Sequence, residues 1–554
     1  MITDMNERAA SSAASAVRDV LRNRAIRRIV VAWTLGVAAD WAFLVVLLVV
    51  AYNEGGTLAV GILGAVRVVP AIVVAPFATT LVGRFRGDRV LTAINVVRCA
   101  GALATAVVLG AGPPVEVTYV LAAVVAGAGS LVRPIQLALL PALARTPGEL
   151  VAANVASSMG EGAGTFLGPL FAGVLVAATG SVPSSVLIAA TFAGAAAAAT
   201  GVRFERDLDA RGGVGTGDRR FRLAEAPSVL RRHPHAALVM TDFVAQVFVR
   251  GLLITLIVVA SIELLGMGDS GVGLLNAAIG LGGLVGAIGA IGLAGGSRLT
   301  AVFAIALVGW GLPLVLIGAW PVALLAIAAL FVTGVSNAVL DVAGFTLIQR
   351  GVRNEDRVTM FGMMEGLFGV SVLAGSLLAP ALVAALGAGD ALVVAGAILP
   401  LLAVVTWRPI SRGARQEASR EEHIALLRRN PLFAPLPLTA LDRLAESLVP
   451  VSFDPGEVLM RKGEPGDRYV LIGNGEVEVR DDELLFRTCG PGDGVGEIAL
   501  IRRVPRTATV VALTHVGGYE IDRATFLSAV AGPAGTAAAE AVAAARLRHP
   551  PSTR

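Results

Sequence analysis

Between Val495 and Val510 the chain reads VGEIALIRRVPRTATV, a stretch whose residue types suit the binding of an anion. Gly496 has no Cβ, so its backbone can lie close to a bound group. A short helix opening at Glu497 would aim the amides of Ile498 and Ala499 at a negative charge, as helix N-termini do. Arg506 supplies a charge-assisted partner for that same charge. Thr507 and Ala508 follow directly and complete the candidate site.

A second set of chemically capable residues lies inside long apolar blocks: Asp40, Arg67, Arg98, Arg133, Glu161, Asp242, Arg250, Asp341 and Glu365. An ionisable side chain in a membrane span costs a few kcal/mol, which makes each of these a functional candidate by default. Pairing that holds helices in register is the simpler role for Arg67, Arg98, Asp242 and Arg250. A role in transport is weighed for Asp40, Arg133, Glu161, Asp341 and Glu365. The glycines at 280, 282, 283, 286 and 289 read as helix-packing contacts, not as a ligand loop. ATP chemistry has no support, because the sole lysine, Lys462, precedes Gly463 and cannot form a P-loop. No catalytic centre is expected. Cys99 and Cys489 are far apart and in different settings, so neither a disulfide framework nor a metal site is expected.

The elements that must carry these residues follow from composition. Hydrophobic residues make up 55% of the 554 and charged ones 16%, and the deficit of charge is confined to residues 26–408. Twelve apolar spans are expected near 26–51, 57–82, 89–111, 115–141, 149–179, 183–203, 236–263, 271–294, 298–318, 321–348, 356–386 and 389–407. Each suffices to cross a hydrocarbon core of about 30 Å. Arginines (84, 86, 89, 145, 298, 350, 353, 357) fall in the connections after even-numbered spans, and the other connections hold no Lys or Arg. Both ends are therefore expected on the cytoplasmic side, and the net charge of +4 reflects membrane topology and not nucleic-acid binding.

The expected division is a cytoplasmic lead-in 1–25, a six-helix bundle 26–203, a cytoplasmic middle loop 204–235 and a second bundle 236–408. A linker helix 409–429, a β-rich domain 430–530 and a C-terminal helix or tail 531–554 follow. In the β-rich region seven strand-like pieces are bounded by Gly, Pro and Asp: 451–453, 458–460, 469–472, 477–480, 484–487, 509–513 and 518–521. Their spacing suggests an antiparallel barrel. The halves of the membrane region echo each other, since the run from Asp40 resembles that from Arg250, and Arg133 with Arg145 is spaced like Asp341 with Arg353.

Two six-span halves joined by a basic loop resemble the major facilitator superfamily. The run from Arg133 to Gly173, with Gly164, Gly168, Pro169 and Gly173, resembles the fourth and fifth spans of its enterobactin-exporter-like and multidrug-efflux branch. That resemblance implies that Asp40 and Arg133 face a central cavity and serve proton coupling or substrate contact. One departure is Gly83, which stands where the family's second loop normally carries Asp, although Arg84 and Arg89 are kept.

The β-rich segment resembles a cyclic-nucleotide-binding domain, from Lys462 through the phosphate-binding cassette at 495–510. The resemblance implies that Glu497 accepts from the ribose 2′-hydroxyl, Arg506 meets the cyclic phosphate and Thr507 reaches the base. Its ligand would be cAMP, ahead of cGMP. The two resemblances together imply a secondary active transporter, an exporter of small amphipathic or lipophilic molecules, regulated by the nucleotide. The rival is a membrane-anchored receptor that does not transport. A nucleotide-gated channel lacks a pore loop here, and about 25 residues after the barrel are too few for a DNA-binding module.

Overall fold

The computed structural model describes residues 23–74, 87–112, 115–143, 147–202, 226–290, 299–353, 356–436, 438–481 and 484–530. Gly83, Arg84, Arg86, Arg145, Arg298, most of the middle loop and the tail from 531 lie outside these. The chain divides into two units, Met1–Ser411 and Arg412–Arg554.

The first unit is helical. Its first half contains α1 (Arg24–Val74), α2 (Gly87–Ala111), α3 (Val115–Ser130), α4 (Val132–Leu143), α5 (Pro147–Thr179) and α6 (Ser181–Ala199). Its second contains α7 (Ala226–Arg232), α8 (Pro234–Val259), α9 (Gly268–Ala290), α10 (Leu299–Ala319), α11 (Ala323–Gly351) and α12 (Arg357–Leu386). Helix α13 (Ala388–Arg429) begins in the first unit and ends in the second. Among the described residues, eleven helices are long and apolar enough to cross a membrane. Their outer faces hold apolar side chains in the open, with Ile305 71% and Val404 75% exposed. A surface of that kind suits hydrocarbon and not water.

The first two expected spans both fall on α1. Its 51 residues would reach about 77 Å if straight, over twice a hydrocarbon core, but helical geometry breaks at Gly55 and Gly56. The fourth expected span is divided by a turn at Leu131 into α3 and α4. Pro134 gives the reason: it has no N–H for the Ser130 carbonyl, and its ring crowds that oxygen. The Ser130 hydroxyl meanwhile donates to the Gly127 carbonyl at 2.8 Å.

Small residues bring the helices into backbone contact. A Cβ on Gly168 of α5 would lie 2.3 Å from the Ala38 carbonyl oxygen of α1. On the other side of α5, a Cβ on Gly273 or Gly280 of α9 would lie 2.4 Å from Pro169 O or 2.5 Å from Thr165 O. Helix α5 thus joins the two halves through contacts only small side chains permit. At a second junction of the halves, Gly64 of α1 meets Ser376 of α12, whose hydroxyl donates to Gly251 O of α8 at 3.4 Å.

The second unit holds α14 (Leu438–Ser447) and eight strands: β1 (Val449–Phe453), β2 (Val458–Met460), β3 (Arg468–Asn474), β4 (Val477–Asp481), β5 (Leu484–Cys489), β6 (Gly494–Val495), β7 (Thr509–Ala512) and β8 (Val516–Asp522). They form two four-stranded antiparallel sheets, ordered β1-β8-β3-β6 and β2-β7-β4-β5. Helix α15 (Glu497–Arg502) interrupts the strands, and α16 (Arg523–Val530) follows β8. Strand β3 is covered on both faces, its residues 469–472 all fully buried. Tyr469 packs 4.9 Å from Phe526 and takes Phe433 edge-on at 5.5 Å. Its hydroxyl accepts from the buried Asn430 amide at 3.0 Å, an arrangement that lets a phenol sit in an apolar core.

Candidate functional site

The candidate stretch links the two sheets of the second unit, running from β6 of one through α15 to β7 of the other. Strand β6 ends at Val495, Gly496 turns the chain, and α15 opens at Glu497. Gly496 has φ +99°, a conformation that disfavours any side chain. The space is also taken: a Cβ there would lie 2.5 Å from Arg506 Nη1 and 3.0 Å from Arg468 O. The first-turn amides of α15 have no acceptor within the helix itself, the position from which helix N-termini meet anions.

The Arg506 side chain is only 4% exposed. Nη1 donates to Gly496 O at 3.1 Å, and Nη2 to Arg468 O at 2.8 Å and Asp467 Oδ1 at 3.5 Å. Its backbone is held as well, since Arg506 N donates to Glu464 O and Arg506 O accepts from Gly463 N, both at 2.8 Å. Burial pushes the guanidinium below the usual arginine range, while Asp467 pulls it back, and an arginine stays charged throughout. A buried cation held this rigidly is a preorganised partner for a phosphate. Glu497 and Ala499 are buried beside it, Ile498 and Ala508 are half-buried, and Thr507 is exposed.

In the first unit, a cavity of about 1160 Å³ lies among α1, α3, α8, α11 and α12. Asp40, Arg67, Arg250, Asp341 and Glu365 all line it, so five of the nine intramembrane charges singled out in the sequence converge there. Asp40 forms an ion pair with Arg98, a fully buried guanidinium that also donates to Gly36 O at 3.1 Å and lies 4.3 Å over the Phe192 ring. Arg133 and Glu161 pair with each other, Nη1 to Oε1 at 2.7 Å. Both also act electrostatically on Asp341. Asp242 lies apart from the cavity, buried, with one carboxylate oxygen accepting from the Thr406 hydroxyl at 3.0 Å.

Asn337 has no counterpart among the residues the sequence singles out. Its Oδ1 accepts from Arg250 at 2.5 Å, from Trp310 Nε1 at 3.1 Å and from Gln246 Nε2 at 3.2 Å. Its amide donates to Asp341 at 3.1 Å, so one neutral side chain ties α8, α10 and α11 to a cavity carboxylate. Its position four residues before Asp341, on the same helical face, was the available signal.

One chain thus carries a bundle of helices long and apolar enough to cross a membrane, around a charge-lined cavity, and a two-sheet β domain. Two known families match parts of the chain: the Major Facilitator Superfamily over residues 30–300 and the Cyclic nucleotide-binding domain over residues 450–532. Members of that superfamily are transporters. Among curated proteins, the acetyltransferase Pat of Mycolicibacterium smegmatis is 44% identical over 92 residues, 16% of this chain and 28% of that protein. That match covers the nucleotide-binding region alone. The cAMP-dependent protein kinase regulatory subunit of Dictyostelium discoideum is 38% identical over 91 residues, 15% of this chain and 28% of its own length. This chain thus spans little more than a quarter of either relative. The solved regulatory domain of Toxoplasma gondii PKA with cAMP matches 22% of this chain and 48% of that one at 26% identity, with a TM-score of 0.21, too low to argue from.

Proposed function

We propose that the chain is a secondary active transporter that exports small amphipathic or lipophilic molecules and is regulated by cAMP, in preference to cGMP, bound to its second unit. The single observation that carries the transport reading is the large cavity with five ionisable residues on its wall. An inert anchor gains nothing from charges whose insertion is costly. Helix α1 makes two crossings, giving twelve in all, with both ends of the chain and the nucleotide domain on the cytoplasmic side. Export, as the direction, rests on the likeness of the Gly164–Gly173 run to exporters.

The nucleotide reading rests on buried Arg506 beside Gly496 and Glu497. In this reading Arg506 and the α15 amides take the cyclic phosphate, Glu497 takes the ribose 2′-hydroxyl, and Thr507 with Ala508 borders the base. The identity to kinase regulatory subunits named for cAMP supports that ligand. Nucleotide changes transport only by binding one conformation of the chain better than another, and such couplings are typically about 1–3 kcal/mol.

Calorimetric titration of the full chain with cAMP and cGMP, against the Arg506→Ala variant, tests the ligand. Micromolar binding that the variant loses is expected, and no binding of either nucleotide would sink the sensor reading. Flux in vesicles with and without saturating nucleotide tests the coupling, which fails if the two rates agree.

A further inference from the structure

The central cavity contains an arginine that makes no ion pair among the described residues, although the Asp40 charge acts on it. Arg67 lines it, and its Nη1 is buried with no hydrogen-bond partner among the described residues. Such a donor is expensive to leave unmade. Asp40 acts on Arg67 electrostatically without an ion pair to it: its Oδ2 is engaged by Arg98, and its Oδ1, also buried, has no hydrogen-bond partner among the described residues. Asp341 is tied to Asn337, which also holds Arg250.

Contacts along the helices place the remaining charges. Gly64, Ser376 and Gly251 meet at one junction, where α1, α12 and α8 come together. Arg67 lies three residues beyond Gly64 and Arg250 adjoins Gly251, so both arginines fall within about one helical turn of that junction. The pairings Gly61 with Pro380 and Gly64 with Ser376 show that α1 and α12 run antiparallel there. Along that axis Glu365 lies about 16 Å from the junction and Arg67 about 4.5 Å, in the same direction. The two are therefore offset by about 12 Å along that axis, and no ion pair joins them. The wall also carries Trp41, Leu44, Phe243 and Phe368, with Ser130 and Gln246 as its uncharged polar side chains.

We infer that the cavity takes an organic oxyanion, a carboxylate or sulfonate on an apolar body, with its charged oxygens on Arg67 and Arg250 and its body against these four side chains. A bound oxyanion satisfies the buried Nη1 and adds to the one acceptor that Arg250 finds in Asn337. This inference rests on the transporter reading and specifies the sign of the cargo's charge.

The test uses the full chain in lipid vesicles and three radiolabelled probes with one ring system: 1-naphthaleneacetate, 1-naphthaleneacetamide and 1-naphthylmethylammonium. The acetate should bind about tenfold or more tighter than the amide, the change one charge-assisted hydrogen bond carries. Arg67→Gln should bring it down to the amide's level, and Arg67→Lys should keep part of the preference. If Arg67→Gln does not fold, as judged by its thermal midpoint, Arg250→Gln should show the same loss of selectivity. Equal binding of the three, preference for the ammonium, no binding of the acetate, or unchanged selectivity in a folded variant would each overturn the oxyanion site. Uptake measured in the same vesicles separates the two readings: uptake without charge preference removes the site and leaves the transporter, and charge-selective binding without uptake does the reverse.

Discussion

Replacing Gly496 by Ala changes one methyl group at the point where β6 becomes α15. Two costs can be worked from the geometry. With φ at +99°, the residue occupies a region that side chains rarely enter, a strain of about 1–3 kcal/mol on the folded domain. The new Cβ would also lie 2.5 Å from Arg506 Nη1, so the guanidinium must move. That motion breaks its 3.1 Å bond to Gly496 O and disturbs the 2.8 Å bond to Arg468 O, each a hydrogen bond from a charged donor and worth about 1.5–3 kcal/mol. Displaced by that much, Arg506 should bind cAMP about 10- to 100-fold more weakly, the equivalent of losing one such bond.

Calorimetry on the full chain reads the affinity, and a thermal scan of the same sample reads the strain. Gly490→Ala is the control, because a Cβ on Gly490 would meet nothing within 4 Å and its φ is not positive, so it should change neither quantity. Wild-type affinity in a folded Gly496→Ala variant would refute the reasoning, since Arg506 would then not need its observed position. Equal losses at Gly490 and Gly496 would refute it too, by making the effect a general one of the β-domain turns.

Other substitutions probe the same logic elsewhere. Asp40→Asn leaves Arg98 buried beside a neutral amide and should lower the thermal stability of the membrane unit by about 3 kcal/mol, at the low end for a broken buried pair because Asp40 is one-third exposed; stability within error of wild type would count against the pairing. Asn337→Ala deprives Arg250, Trp310 and Gln246 of a shared acceptor and should cost about 1–3 kcal/mol in a detergent melting assay, and stability within error of wild type would count against that role. Asp522 caps α16, accepting from Thr525 N at 3.0 Å and from its hydroxyl at 2.6 Å, and these bonds hold its carboxyl below the usual carboxylate range. A lowered folded pKa adds stability above the unfolded pKa of about 3.9 that is lost as pH falls through the folded value, so Asp522→Ala should cost about 1 kcal/mol at neutral pH and nothing in strong acid; a pH-independent loss would refute the assignment.

The cassette was legible because its parts adjoin in sequence: one turn glycine, one short helix and one arginine, from Gly496 to Arg506, need little tertiary information to be placed. The intramembrane charges were legible for another reason, since insertion cost makes every one conspicuous. What each charge touches was not legible. Arg98 reaches Asp40, and Arg133 reaches Glu161, through helix packing that no local pattern encodes. Asn337 escaped notice because a neutral amide is cheap to insert and its donors come from separate helices. Proline was an ambiguous signal. Pro169, Pro313 and Pro380 lie inside unbroken helices, while Pro134 accompanies the division of a span. Strand β6, at two residues, is too short for any alternation to be read.

The sequence echo between the halves would set Asp40 against Arg250 and Arg133 against Asp341, a reversal of charge. Each is held mainly within its own half: Asp40 by Arg98, Arg133 by Glu161, and Arg250 with Asp341 through Asn337. Across the cavity the reversal still acts, because the Arg133 charge is felt at Asp341 in the opposite half. Identical charges at equivalent positions would repel as the halves approach, and reversed ones attract. For the proposed transporter, partners within each half would keep the charges paired while the cavity is wide, and opposite signs between the halves would lower the cost of narrowing it.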